Sequence, residues 1–190
     1  MHGRIFWEFR DYAEARHGAG TWLKLLENSG LEEKVYLRQP YPDTEMVSLM
    51  MAASALSGKS LPELLEEFGE FTVPSLLNMY GYLMKREWRT LDVIEHTEKI
   101  AHSAARMTDA GSAPPFLLTK RLGPEELKLT YSSPRKLCAF AVGVAKGLGK
   151  HFNEEVRLQH SVCMHRGDPV CEIVIHAHAA KAKRAKAQHS

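Results

Sequence analysis

The residues best equipped for chemistry lie in the second half of the chain. In YSSPRKLC, Tyr131, Ser133 and Arg135 occupy alternate positions, so an extended segment would turn two hydroxyls and a guanidinium to one side. Burying three such groups is costly unless something anionic or polar meets them. The competing reading is an edge strand whose polar face meets water. A second set lies further along: Cys138, then His160-x2-Cys163, then Cys171 across the turn HRGD. Three thiolates and an imidazole suit a four-coordinate zinc ion, with Zn–S bonds of about 2.3 Å. C-x2-C knuckles are absent, and the bland alternative is three small buried hydrophobes beside a surface histidine. His165 is the poorer ligand because it adjoins the tight Arg166-Gly167-Asp168 corner, whose RGD reads as turn chemistry.

Two more histidines share the helical stretch WRTLDVIEHTEKIAHSAARM. At about 100° per residue, Val93, Thr97, Ile100, Ala104 and Met107 cluster on one face, and His96 falls close to it. His102 falls opposite Val93, beside Leu91, Glu95 and Glu98. Periodicity alone therefore assigns His102 to solvent or to a second interface.

The elements that must position these groups change character along the chain. Residues 3 to 16 carry Ile5, Phe6, Phe9, Tyr12 and Ala13 at helical spacing, and TWLKLLENSG repeats the pattern and stops at Gly30. Asp43 is the expected N-cap of the helix in YPDTEMVSLMMAASAL. Ser60 and Glu63 have capping-box spacing in SLPELLEEFG, with Pro62 in the first turn. FTVPSLLNMYGYLM reads as helical beyond Pro74, and a long helix runs from about Thr90 to near Gly111. After GSAPP, FLLTKRL and ELKLTY read as strands joined by LGPE. KLCAFAVGVAKGLGKHF reads as a helix despite its glycines. EVRLQHSVCM and PVCEIVIHAH are two more strands. Helices first, then strands enclosing one helix, predict an α+β fold. One domain over 1–178 is expected, helical over about 1–112 and sheet-containing over about 113–178, with a basic frayed tail at 179–190.

A net charge of +2 lies too near neutral to favour nucleic acid or membranes, and much of the excess sits in KAKRAKAQHS. No stretch approaches the roughly 20 apolar residues of a membrane span. The start lacks a signal-peptide layout, so three reduced thiols in the cytoplasm are expected.

Three features occur in order: the MHGRIFWEF start, AHSAARM followed by APP, and Tyr131-x-Ser133-x-Arg135. Through them, residues 1 to 176 resemble the heme nitric oxide/oxygen-binding (H-NOX) domains, the bacterial stand-alone type related to the heme domain of soluble guanylate cyclase. The resemblance implies a b-type heme (iron protoporphyrin IX) between the helical and sheet-containing lobes. It makes His102 the axial iron ligand and Pro115 the residue that presses on the macrocycle. Tyr131, Ser133 and Arg135 would then meet the heme propionates, Arg135 through two parallel N–H bonds. Ile5 and Phe9, with Phe140 and Val144, would face the open iron site.

Family members that hold oxygen stably place a tyrosine hydroxyl on the later helix. Phe140 stands there in this chain and has no donor, so NO and CO are favoured over O2. Cys138, His160, Cys163 and Cys171 match the zinc site of many bacterial members, structural and open to oxidation. The resemblance implies a gas sensor and not an enzyme. NO would break the bond between iron and His102, and a partner in trans would read the change. By analogy that partner is a histidine kinase or a cyclic-di-nucleotide enzyme. The rival is a zinc/thiol redox sensor, with or without heme.

Overall fold

A computed structural model describes residues 1–33, 41–108 and 113–180. Its order is helical first: α1 Gly3–His17, α2 Thr21–Ser29, α3 Asp43–Ser57, α4 Leu61–Tyr80 and α5 Thr90–Thr97. A π-helical turn over Glu98–His102 leads into α6, Ser103–Thr108. Then come β1 Phe116–Gly123, β2 Glu126–Ser132, α7 Cys138–Phe152, β3 Glu154–Val162 and β4 Cys171–Ala179. The four strands form one antiparallel sheet in the order β1-β2-β4-β3, which makes the fold α+β as expected. The expected helix end near Gly111 and residues 181–190 of the basic tail lie outside the described residues.

Local signals account for most boundaries. The apolar stripe of α1 buries Phe6, Phe9, Tyr12 and Ala13. α2 closes on Gly30, whose φ of 64° is the left-handed conformation glycine adopts cheaply. The Ser60–Glu63 capping box is formed, with the Ser60 amide donating to Glu63 at 2.9 Å. Two expectations need correction. Asp43 is the first residue of α3 and Pro42 is the N-cap, because the Asp43 carboxylate is drawn away to Arg135 and the Met1 amino group. α4 also runs unbroken through Pro74, so the two stretches on either side are one helix.

The glycines of α7 have a packing reason. A methyl group added at Gly143 would sit 1.9 Å from the Glu66 carbonyl oxygen, and one at Gly69 would sit 2.2 Å from that of Phe140. α4 and α7 therefore meet backbone to backbone. Lys146–Glu66 and Lys150–Glu70 ion pairs flank the seam. One apolar core lies among α1 to α4, around Phe6, Leu25, Leu49 and Phe68. A second lies between the sheet and α5 and α7, around Leu127, Ile173, Ile175 and Leu148. No helix among the described residues is long and apolar enough to cross a membrane.

Candidate cofactor and metal sites

His102 closes the π-helical turn, where the Ser103 amide reaches back to the Glu98 carbonyl. Such a turn inserts one extra residue, which rotates the downstream side chains by about 100° from the α-helical projection. His102 still stands beside Glu98, as periodicity placed it, on the side of the helix that meets β1. Its side chain is only 16% exposed, and Nδ1 lies 3.0 Å from Glu98 Oε2. Because a carboxylate can only accept, Nδ1 donates and the lone pair is left on Nε2. Burial pushes the imidazole below its ordinary pKa, against the opposing pull of Glu98 and of the Pro115 backbone, and so holds it neutral. Burial also works against the Glu98 charge. Hydrogen bonds from His102, Arg106 and the Leu117 amide outweigh it and hold that carboxyl low. His96 is committed elsewhere: Nδ1 is 2.8 Å from the Asp92 carbonyl, and the ring stacks on Trp88 at 4.3 Å. Pro115 directly precedes β1, which begins at Phe116.

The Tyr131–Arg135 stretch is not extended throughout, contrary to expectation. β2 ends at Ser132, and the Lys136 amide donates to the Ser133 carbonyl at 3.0 Å, so Ser133 to Lys136 form a turn. Pro134 suits that turn with its fixed φ, and Ser133 Oγ accepts from the Arg135 amide at 3.3 Å. Tyr131 and Ser133 are buried, and burial raises the Tyr131 pKa against the opposing pull of Ser133. Arg135 donates through Nε to Asp43 at 2.7 Å and through a terminal nitrogen to the Ala113 carbonyl at 2.5 Å. It thus ties α3 to the segment leading into β1. Nothing in the local sequence signalled Asp43 as its partner.

Phe9 is fully buried, with ring contacts to Tyr12 at 5.9 Å and Phe68 at 5.1 Å. Phe68 in turn contacts Phe140 at 5.2 Å. Phe68 was not singled out from sequence, although its place on the apolar face of α4 could have suggested it. Ile5 and Phe140 are only partly buried against the helical core, and Val144 only partly against the sheet core. None of Ile5, Phe9, Phe140 and Val144 carries a side-chain hydrogen-bond donor.

The structure brings Cys138, His160, Cys163 and Cys171 together. One ligand atom from each lies within 4.8 Å of all the others. Cys163 Sγ is 4.0 Å from the sulfurs of both Cys138 and Cys171. Four ligands placed tetrahedrally at ~2.3 Å would stand about 3.8 Å apart, so the set is almost at metal-binding size. Cys138 starts α7, Cys171 starts β4, and the register of β3 against β4 shifts between His160 and Val162. Bulges of this kind re-aim side chains. His160 Nε2 is buried and has no hydrogen-bond partner among the described residues. Burial, with the neighbouring Cys171 next in effect, pushes the Cys138 thiol up to about 12, and burial lowers His160. A cation would reverse the first effect by stabilising thiolate. His165 is excluded from the cluster, because its Nε2 lies 2.7 Å from the Lys136 carbonyl.

The profile of the haem-NO-binding family matches residues 2–160. No curated protein matches this chain. Among solved structures, the H-NOX protein of S. oneidensis in its Fe(II)NO state is 24% identical, with a TM-score of 0.86 over 94% of this chain and 99% of its own. The unliganded Fe(II) protein of K. algicida is 21% identical, with a TM-score of 0.79 over 97% and 100%. A T. tengcongensis H-NOX variant is 18% identical, with a TM-score of 0.83 over 96% and 100%. At these identities the likeness establishes the fold. The profile match covers most of the chain, and the chain belongs to the haem-NO-binding, or H-NOX, family.

Proposed function

We propose that this chain is a heme-based gas sensor for NO and CO. The observation that carries this is His102, an imidazole held neutral and nearly buried, with Nδ1 engaged and Nε2 left as the ligand atom. The S. oneidensis relative carries NO on ferrous iron. Bound ferrous heme would supply one open iron position for a diatomic gas. The residues present fit such a group. Ile5, Phe140 and Val144 are only partly buried where they pack on the two cores, leaving apolar surface for a bulky apolar partner to cover.

Each residue then has a role. His102 offers Nε2 to the iron, and Pro115 lies close enough to steer the ring. Arg135 can exchange its present acceptors, Asp43 and the Ala113 carbonyl, for propionate oxygens. The Tyr131 hydroxyl, from the end of β2, and the Ser133 hydroxyl, from the same turn as Arg135, would join it. Ile5, Phe9, Phe140 and Val144 keep water out and offer a bound gas no hydrogen bond, which disfavours O2 relative to NO and CO. Bound heme would supply the iron at which NO binds, and His102, once released from it, would leave the π-helical turn free to move. A cytoplasmic partner in trans, a histidine kinase or cyclic-di-nucleotide enzyme, would read that shift, and no turnover is assigned to the chain itself. The test is an absorption spectrum of the reduced protein. We expect a Soret band that shifts on adding NO, without a stable O2 adduct. Protein that stays pale after reconstitution with hemin would overturn the reading.

Zinc is the second proposed cofactor, supported by the 4.0 Å sulfur spacing and the orphaned His160 Nε2. Held by Cys138, His160, Cys163 and Cys171, it would pin β3 and β4 to the helix that bears Phe140. Metal analysis should find about one zinc per chain. Cys163→Ala should lose that zinc and about 2 kcal/mol of stability, roughly 4–8 °C in Tm. Retention of full zinc by Cys163→Ala would rule this centre out. The same cluster supports the rival reading, a zinc/thiol redox sensor. A colourless protein that answers peroxide but not NO would favour that rival.

A further inference from the structure

Glu98 is tied to several of its surroundings at once. Its carbonyl accepts the Ser103 amide across the π-helical turn and also the Ser103 hydroxyl at 3.1 Å. Its carboxylate accepts from His102 Nδ1 at 3.0 Å and from the Leu117 amide of β1 at 3.1 Å, both at Oε2. The other oxygen, Oε1, pairs with Arg106, which lies toward solvent. One acidic side chain thus fixes the ring, the turn that carries it and the adjacent strand.

A full negative charge accepting from Nδ1 does two things to an imidazole. It sets the ring's rotation, because the hydrogen bond is directional. It also pushes electron density toward Nε2, which makes that nitrogen a stronger donor to a metal. We propose that Glu98 is a positioning residue for His102, orienting its ring and strengthening the bond its Nε2 makes to iron, with Arg106 tempering that push. This rests on the reading of His102 as the axial ligand. It goes further by assigning the strength of that bond, and so the readiness with which NO breaks it, to a carboxylate one turn earlier in the chain.

The test is the iron–histidine stretching frequency of the reduced, unliganded holoprotein, read by resonance Raman, together with the coordination number of its NO adduct. Glu98→Gln keeps an acceptor but removes the charge. Its stretch should move to lower frequency, and the equilibrium retention of His102 in the NO adduct should fall about tenfold. Arg106→Ala leaves the carboxylate unshared and should move the stretch the opposite way. A purely structural tie to Leu117 would produce neither shift. If Glu98→Gln does not fold, Arg106→Ala still decides, since its side chain is 41% exposed and its loss is tolerable. Unchanged frequencies in the variants, with a normal band in the unsubstituted protein, would overturn this inference alone. Absence of any iron–histidine band in the unsubstituted protein would overturn the assignment of His102, and this inference with it.

Discussion

His102→Gly protein, purified with ample hemin, will retain no tightly held heme unless imidazole is supplied. Glu98 takes up Nδ1 of the side chain being removed, which leaves Nε2 as the atom to hold a metal. Changing the outer partner of a metal ligand typically costs 10–100-fold in affinity. Losing the ligand itself should exceed that range, so heme retention should weaken by more than about 100-fold. Added imidazole can enter the space left by the ring and restore the Soret band. His96→Gly is the control, and it should keep its heme. His96 spends Nδ1 on the Asp92 carbonyl and its ring face on Trp88, which is the setting of a structural histidine. Heme loss in His96→Gly with retention in His102→Gly would reverse the assignment.

Gly143→Ala will destabilise the fold strongly although it adds one methyl group. That methyl would meet the Glu66 carbonyl oxygen at 1.9 Å, its carbon at 2.7 Å and the Glu66 Cα at 2.9 Å. All three are backbone atoms of α4, so no side chain can swing aside and the helices must separate. Overpacking of this kind costs about 1–3 kcal/mol and sometimes more. Here we expect the upper end, roughly 3 kcal/mol or a Tm fall of roughly 6–12 °C, measured by thermal unfolding. The gain of about 1 kcal/mol from alanine's helix propensity would offset only part of it. Gly81 provides the comparison. It lies in right-handed backbone with nothing within 4 Å of an added methyl, so Gly81→Ala should change stability by less than about 1 kcal/mol. Equal effects at both positions would mean that α4 and α7 are not in backbone contact.

Most elements were legible because their signals are local. The stripe of α1, the capping box before α4, the glycine that ends α2 and the switch from helices to strands all act over a few residues. The glycines of α7 were a puzzle in sequence and became clear only with α4 beside them. The capping role expected of Asp43 failed for a related reason. A carboxylate goes to the strongest available donor, and Arg135, far away in the chain, outcompetes the amides of its own helix.

The candidate sites divide the same way. Three cysteines and a histidine of the right types were visible in the chain, but only strand register and a bulge bring their ligand atoms within 4.8 Å. Tyr131, Ser133 and Arg135 were visible as a set, yet a turn and not a continuous strand arranges them. His102 shows the limit most clearly. Periodicity placed it beside Glu98, at solvent or a second interface, and only the fold shows that this interface is with β1. The sequence by itself determined the α+β order, the residue types available for chemistry and the family. Tertiary structure alone decided which groups meet: Glu98 with His102, Asp43 with Arg135, and the thiols with His160. Local propensity acts between near neighbours in the chain, whereas hydrogen bonds, ion pairs and ligand sets form between whichever groups the packed fold brings within reach.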